Sequence, residues 1–141
     1  MSGFLLDTNV ISEVLRPKPD PRVARWLEST DEALLLLSVL TIGEIRKGIA
    51  MVADPARKTM LEAWLTSNLV IRFTGRILPI DEAVAALWGQ VTGSLAKAGL
   101  LVPVIDGLLA STALHHNLTL VTRNTRDVAP TGVAVLDPWT T

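Results

Sequence analysis

The sequence contains no cysteine. This absence excludes zinc–thiolate sites, disulfide scaffolds and cysteine nucleophiles. Any bound metal must therefore be held by oxygen or histidine ligands. A chain without thiols also suits the reducing cytoplasm, where disulfides are rare.

Long hydrophobic runs are also missing. The longest apolar stretches, residues 33–40 and 98–105, fall far short of the roughly 18 residues that a membrane-spanning helix requires. The short apolar run before Asp7 has no basic segment in front of it, which argues against a secretory signal. We therefore expect a cytoplasmic protein without membrane contact.

The chain has almost no net charge, with a formal value of −1 over 141 residues. Overall charge therefore gives no argument for nucleic-acid binding, and any such binding must depend on local clusters. The length suits one domain with a single sizeable core. Hydrophobic residues make up 49% of the chain, and the mean hydropathy is +0.40. Because this is high for a soluble domain, we expect some apolar surface to contact a partner.

Short apolar segments alternate with amphipathic ones along the chain. Strands are predicted at 4–6, 34–37, 118–122 and 133–136, with a short extended piece at 76–79. Helices are predicted at 10–15, from Pro21, from Thr41, after Pro55, at 81–98 and at 106–115. Strands separated by helices pair in parallel. The predicted fold is a single α/β domain over residues 1–141, with a central, mostly parallel sheet of four to five short strands flanked by helices.

Asp7 stands directly after the first predicted strand. In open α/β sheets, ligands bind in the crevice beyond the carboxyl ends of the strands. Asp7 is therefore a candidate functional carboxylate. The alternative is that Asp7 caps the following helix together with Thr8 and Asn9, since these residue types are good N-caps.

Two further carboxylates follow predicted strands or begin predicted helices. Glu44 completes the capping-box pattern Thr41-Ile42-Gly43-Glu44, which gives it a structural explanation, yet a first-turn position also directs it toward the strand-end crevice. Asp106 begins an otherwise apolar helix, where burying an unpaired carboxylate is costly. Asp106 is therefore either an N-cap or a functional group with a partner.

Three carboxylates that converge on one crevice repel each other, and a bound cation resolves the repulsion. Hard oxygen ligands select Mg²⁺ or Mn²⁺ over softer metals. Such an ion activates water and stabilises a leaving oxygen in phosphodiester cleavage. The residues therefore indicate phosphoryl-transfer chemistry.

Four segments, in order along the chain, resemble the PIN domain and, more narrowly, the VapC and FitB-type toxins of bacterial type II toxin–antitoxin pairs. They are LLDTNVIS at 5–12, the Glu44 segment at 38–48, VIDGLLASTA at 104–113 and LTLVTRN at 118–124. The resemblance implies a Mg²⁺- or Mn²⁺-dependent endoribonuclease. It also implies a homodimeric toxin, inhibited by a cognate VapB/FitA-like antitoxin that itself binds promoter DNA.

The resemblance also implies the roles of individual residues. Asp7, Glu44 and Asp106 become the catalytic acids, with Asp7 and Asp106 as metal ligands and Glu44, the third acid, as a further expected ligand. Related proteins carry a fourth acid after a Thr-Arg pair, but this chain has Asn124 there. Either the amide oxygen of Asn124 or the carboxylate of Asp127 then completes the metal site.

Several other residues have weaker functional interpretations. Arg123 and Arg126 are expected to contact RNA phosphates, and the Thr122 hydroxyl either orients a water or phosphate or is only structural. His115 and His116 are expected to lie at the C-terminal end of their helix, where cations are favoured. A second basic cluster that could contact RNA phosphates consists of Arg16, Lys18, Arg22 and Arg25. Trp26 and Trp64 are candidate contacts for an antitoxin. Trp88 and Trp139 are expected to be core or interface residues.

Two other function classes compete with the nuclease. A haloacid-dehalogenase-type phosphotransferase needs a second aspartate two residues after the first, but that position is Asn9. A non-catalytic α/β binding module that partners a DNA-binding regulator would use the carboxylates only as helix caps. These two roles differ in their response to metal, because only a metal site gives stabilisation by Mg²⁺ or Mn²⁺.

Overall fold

A sheet of five short parallel strands forms the centre of the protein. The computed structural model describes residues 2–141. The strands are β1 (Phe4–Leu6), β2 (Leu35–Ser38), β3 (Ile77–Leu78), β4 (Thr119–Val121) and β5 (Val135–Leu136). They are arranged in the order β3-β2-β1-β4-β5, and every neighbouring pair is parallel. The predicted α/β class and parallel sheet are therefore confirmed.

Eight α-helices connect the strands. They are α1 (Thr8–Val14), α2 (Pro21–Ser29), α3 (Val39–Ala50), α4 (Pro55–Trp64), α5 (Val70–Arg72), α6 (Glu82–Lys97), α7 (Val104–His115) and α8 (Thr125–Val128). Short 3₁₀ turns lie at Glu32–Leu34 and Ala129–Thr131. A π-helical segment, Leu65–Leu69, joins α4 to α5 and interrupts the long helix expected after Pro55. None of the helices within residues 2–141 combines the length and apolar character needed to cross a membrane.

The sheet is covered by apolar side chains on both faces. Successive residues of a strand point to opposite faces, and Leu5 and Leu6 of β1 accordingly belong to different buried clusters. Leu6 packs in a cluster that includes Val10 of α1 and Ile49 of α3. Leu5 packs in another cluster with Leu109 of α7. Helices therefore lie on each side of β1, as predicted.

The start of α3 differs from the prediction. The helix begins at Val39, and its N-cap is Ser38, whose hydroxyl accepts a hydrogen bond from the Leu40 amide at 3.0 Å. Thr41 is buried inside the helix rather than at its cap. The predicted capping box from Thr41 to Glu44 is therefore wrong, because a serine three residues earlier caps the helix.

The start of α7 also differs. The helix begins at Val104, and Pro103 occupies the N-cap position without a side-chain hydrogen bond. Asp106 lies in the first turn, so its alternative interpretation as an N-cap is wrong. α7 packs closely on α6 at Gly107. A Cβ atom added at this position would lie only 3.1 Å from Nε1 of Trp88. Asp106 precedes Gly107 and therefore lies in the turn of α7 that packs against α6.

Candidate active site

The carboxyl ends of β1 and β4 lie side by side in the sheet. Leu6 is in register with Val121, and the Asp7 amide donates to the Val121 carbonyl at 2.9 Å. Asp7 and Thr122 therefore leave adjacent strands at the same level. β1 has β2 on one side and β4 on the other, so the chain order reverses here, as at the ligand-binding crevice of open α/β sheets.

Asp7 is almost completely buried, with 6% of its surface exposed. Its Oδ1 accepts from the Thr8 amide at 2.6 Å, and its Oδ2 accepts from the Thr122 hydroxyl at 2.8 Å. Asp7 is thus the N-cap of α1, as its structural interpretation predicted, and it also faces the crevice. Burial raises the pKa of Asp7 despite these hydrogen bonds, and the charge of Glu44 adds to the rise.

Glu44 lies on α3 across the crevice from α1. Its Oε1 accepts a hydrogen bond from the Thr8 hydroxyl at 2.5 Å. This contact joins α1 to α3 through two residues that are 36 positions apart in sequence. Glu44 therefore faces the same crevice as Asp7, and its side chain contacts α1 instead of capping its own helix.

Asp106 enters the crevice from α7. Its carboxylate is half-buried and accepts no hydrogen bond from any group within residues 2–141. Burial raises the pKa of Asp106, and the negative charges of Asp7, Asp127 and Glu44 add to the rise in that order, to about 6 in total. Asp7, Glu44 and Asp127 therefore all act on Asp106 across a single crevice.

The two candidates for the fourth position differ in placement. The backbone N–H of Asn124 donates to the Thr122 hydroxyl at 2.9 Å. The Asn124 side chain is exposed and does not cap α8. Asp127 lies in the first turn of α8, and of these two residues it is the one whose charge contributes to the raised pKa of Asp106. Both remain candidates for completing a metal site.

Most of the predicted basic residues have other contacts. The guanidinium of Arg123 lies 5.1 Å from the ring centroid of Trp139. Arg22 pairs with Asp20 at 2.9 Å, which neutralises part of the second basic cluster. Arg126 is exposed on α8 and forms no ion pair with residues 2–141. The RNA contacts of Arg123 and Arg126 remain predictions.

Thr122 is more central than its sequence position suggested. The side chain is completely buried, donates to Asp7 and accepts from the Asn124 backbone. The Asn9 side-chain nitrogen lies 3.4 Å from both Thr122 Oγ1 and Asp7 Oδ2, and the Asn9 amide oxygen is buried without a partner among residues 2–141. The strand-end position identified Thr122 as a candidate in the sequence, but it did not predict the hydrogen bond to Asp7.

The donor set suits a hard divalent cation. Within residues 2–141, no three acidic or histidine side chains are close enough to form a preformed metal cluster. Mg²⁺, however, usually binds through one or two carboxylates and keeps several waters. Asp7 is held rigidly, and the Asp106 carboxylate has no hydrogen-bond partner in the described chain. Burial and the neighbouring negative charges raise the pKa of Asp106. A cation between the two aspartates would offset those charges.

An apolar groove begins at the crevice. Its volume is about 550 Å³, and Thr8 and Glu44 form part of its lining. The remaining lining comes mainly from apolar side chains of α1, α3 and α4, including Ile45, Leu61 and Trp64. Apolar surface of this kind next to charged groups is typical of a site that binds another protein.

The two histidines and the tryptophans Trp26 and Trp139 form no hydrogen bond with Asp7, Glu44 or Asp106 within residues 2–141. His115 and His116 are exposed at the C-terminal end of α7, as predicted, with ring centroids 4.9 Å apart. Trp26 packs edge-on against Phe4, and the Trp139 indole donates to Glu13 at 3.2 Å. These contacts are those of packing residues.

Residues 4–129 match the model of the PIN domain. The chain therefore belongs to the PIN domain family, as the sequence motifs implied.

Its close relatives within that family are FitB and VapC toxins. The chain is 42% identical over 136 residues to Toxin FitB of Neisseria gonorrhoeae, covering 96% of this chain and 98% of that protein. It is 30% identical over 136 residues to VapC ribonuclease Y4jK of Sinorhizobium fredii, covering 96% and 97%.

Solved structures of toxin–antitoxin complexes share the fold. The FitAcB structure from N. gonorrhoeae superposes with a TM-score of 0.94 at 41% identity and covers 98% of this chain and 99% of that one. The DNA-bound VapBC structure from Salmonella typhimurium gives a TM-score of 0.79 at 26% identity, with 98% and 99% covered.

The raised pKa of Asp106 predicts an effect on stability. In metal-free protein the folded state holds a proton on Asp106 more tightly than the unfolded chain, so this group favours folding increasingly as the pH falls through about 6. Its charged form costs stability at pH 7. We expect Asp106→Asn to raise the free energy of unfolding at pH 7 by about 1 kcal/mol, after allowance for solvent screening. The gain should fade near pH 4.

Urea unfolding in EDTA at both pH values measures this effect. Glu28→Gln, which removes an exposed acid of α2, is the matched control and should leave stability nearly unchanged. Loss of stability in Asp106→Asn at pH 7 would mean that the carboxylate is a favourable structural group.

Proposed function

We propose that this chain is a Mg²⁺- or Mn²⁺-dependent endoribonuclease and the toxin of a toxin–antitoxin pair. The observation that carries the proposal is Asp106, a half-buried carboxylate without a hydrogen-bond partner within residues 2–141, whose pKa is raised by burial and by three neighbouring acids. Natural proteins tolerate such unfavourable charge mainly at functional sites. The names of relatives, which include ribonucleases and tRNA(fMet)-specific endonucleases, support the same chemistry.

In this proposal each acid has a distinct role. Asp7 and Asp106 hold the cation, Glu44 is the third acid and a further ligand, and Asn124 or Asp127 completes the site. A bound divalent ion would supply an activated water and charge stabilisation for the leaving oxygen of a phosphodiester. Asp7 is suited to a fixed ligand because Thr122 and the Thr8 amide hold both of its oxygens.

RNA is the proposed substrate. Arg126, exposed on α8, and Arg123, next to Thr122, would bind backbone phosphates without reading sequence. The cytoplasm is the proposed location, since the substrate and the partner are both found there.

The non-catalytic alternative explains only part of the site. Asp7 does cap α1, as a binding module would require. Asp106 caps nothing, and Glu44 contacts a different helix. Helix capping therefore accounts for one of the three acids, and a metal site accounts for all of them.

Cleavage of structured RNA by the purified, antitoxin-free protein tests the proposal. We expect cleavage with Mg²⁺ or Mn²⁺, none with EDTA, and none in Asp7→Asn or Asp106→Asn, since each removes a ligand charge. Glu28→Gln should cleave like the unmodified protein. Cleavage that persists in EDTA or in Asp106→Asn would contradict the mechanism.

The apolar groove is the proposed antitoxin site. It opens at Thr8 and Glu44, so a segment bound along it would cover the approach to the acids and block RNA. The relatives solved as FitAB and VapBC complexes support an antitoxin of the VapB/FitA type, through which promoter DNA would be bound. Leu101 and Val104, which are 87% and 60% exposed just before Asp106, offer apolar surface for the predicted homodimer.

Two exposed methionines allow a matched test of the groove. Met60 lines it, whereas Met51, exposed to a similar extent at the end of α3, does not. Because a buried charge is costly, we expect Met60→Glu to weaken antitoxin binding about tenfold or more. Met51→Glu should bind normally. Titration of each variant with a VapB/FitA-like antitoxin measures the difference. Equal binding by both variants would place the antitoxin elsewhere.

A further inference from the structure

The hydroxyl of Thr8 lies between two groups of α3. It donates to Glu44 Oε1 at 2.5 Å, and Oγ1 of Thr41 lies 3.3 Å from Oγ1 of Thr8. A hydroxyl has one proton and two lone pairs. Because the proton is directed to the nearer carboxylate, the contact with Thr41 leaves Thr8 as the acceptor. Thr8 therefore acts toward Glu44 as a fixed donor.

Thr8 contacts two of the acids at once. Its backbone amide donates to Asp7 Oδ1 at 2.6 Å while its side chain donates to Glu44. Within residues 2–141 this is the one hydrogen bond that the Glu44 side chain accepts. The orientation of Glu44 relative to Asp7 thus depends on a single residue at the start of α1.

We propose that Thr8 is a positioning residue that holds Glu44 in the orientation needed to bind a divalent cation. This inference rests on the proposed function. Glutamate has several free side-chain torsions, and ordering them when the metal binds costs entropy. A donor that orders Glu44 beforehand removes that cost, as outer hydrogen-bond partners of metal ligands generally do. The hydroxyl of the buried Thr41 donates to Thr8 Oγ1 and so helps to keep the Thr8 proton directed toward Glu44.

Substitution of Thr8 by valine or by serine distinguishes the role of its hydroxyl from that of its methyl group. Thr8→Val keeps the branched shape but removes the donor, and Thr8→Ser keeps the donor but removes the methyl group. A packing role would be preserved by valine and weakened by serine. A positioning role gives the opposite order.

Calorimetric titration of the full chain with Mn²⁺, without RNA, tests the proposal. Loss of an outer partner typically weakens metal binding about 10- to 100-fold, so we expect this for Thr8→Val and nearly unchanged affinity for Thr8→Ser. The matched control is Thr66→Val on the π-helical segment, where the hydroxyl donates only to the Glu62 carbonyl at 3.0 Å. This control should bind Mn²⁺ like the unmodified protein.

A second measurement needs no metal. The ¹³C NMR signal of the Glu44 carboxyl carbon, assigned by its loss in Glu44→Gln, reports the hydrogen bond directly. In EDTA we expect Thr8→Val to shift this signal, whereas Thr66→Val and Thr8→Ser leave it close to its original position. If Thr8→Val fails to fold, Thr8→Ala replaces it with the same expectations.

The outcomes distinguish this inference from the proposed function. Full Mn²⁺ affinity in Thr8→Val, with binding lost in Asp106→Asn, would overturn the role of Thr8 and leave the metal site intact. Serine behaving like valine would also overturn it. Failure of the unmodified protein to bind Mn²⁺ would overturn the proposed function itself, and this inference with it.

Discussion

Mutual repulsion among carboxylates at one edge of the sheet is the constraint on which the rest of the site depends. The parallel arrangement of β1 and β4, with α3 and α7 on either side, directs Asp7, Glu44, Asp106 and Asp127 to one crevice. Partial burial, together with the charges of the other three acids, raises the pKa of Asp106 to about 6. Because hydrophobic packing of five strands and their helices supplies the stability, the fold can carry this unfavourable group of charges.

Threonine hydroxyl groups donate hydrogen bonds to two of the acids in the crevice but not to Asp106. Thr122 fixes Asp7, and Thr8 fixes Glu44, each through a short hydrogen bond. Asp106 has no comparable partner within residues 2–141. Two ordered carboxylates opposite one unpaired carboxylate form a site that is poised for a cation rather than satisfied without one. The apolar groove beside Glu44 then places protein binding next to the same chemistry.

The sequence predicted the features that depend on local patterns. Short apolar segments between helices indicated the parallel sheet, and the strand-end rule identified Asp7. The error at Glu44 arose because the Thr41-to-Glu44 spacing matched a capping box, while Ser38 at the end of β2 was available as a better-placed cap. Thr8 was interpreted only as a helix cap, because its contact with Glu44 joins residues 36 positions apart. Such contacts follow from strand order, which local patterns do not contain.

The central claim is that Asp7 and Asp106 share one divalent cation. Anomalous diffraction from crystals of the protein soaked in Mn²⁺ tests it most directly. We expect a strong anomalous peak bonded to carboxylate oxygens of both residues, with Glu44 nearby. A peak that contacts neither aspartate, or no peak in the crevice at saturating Mn²⁺, would contradict it.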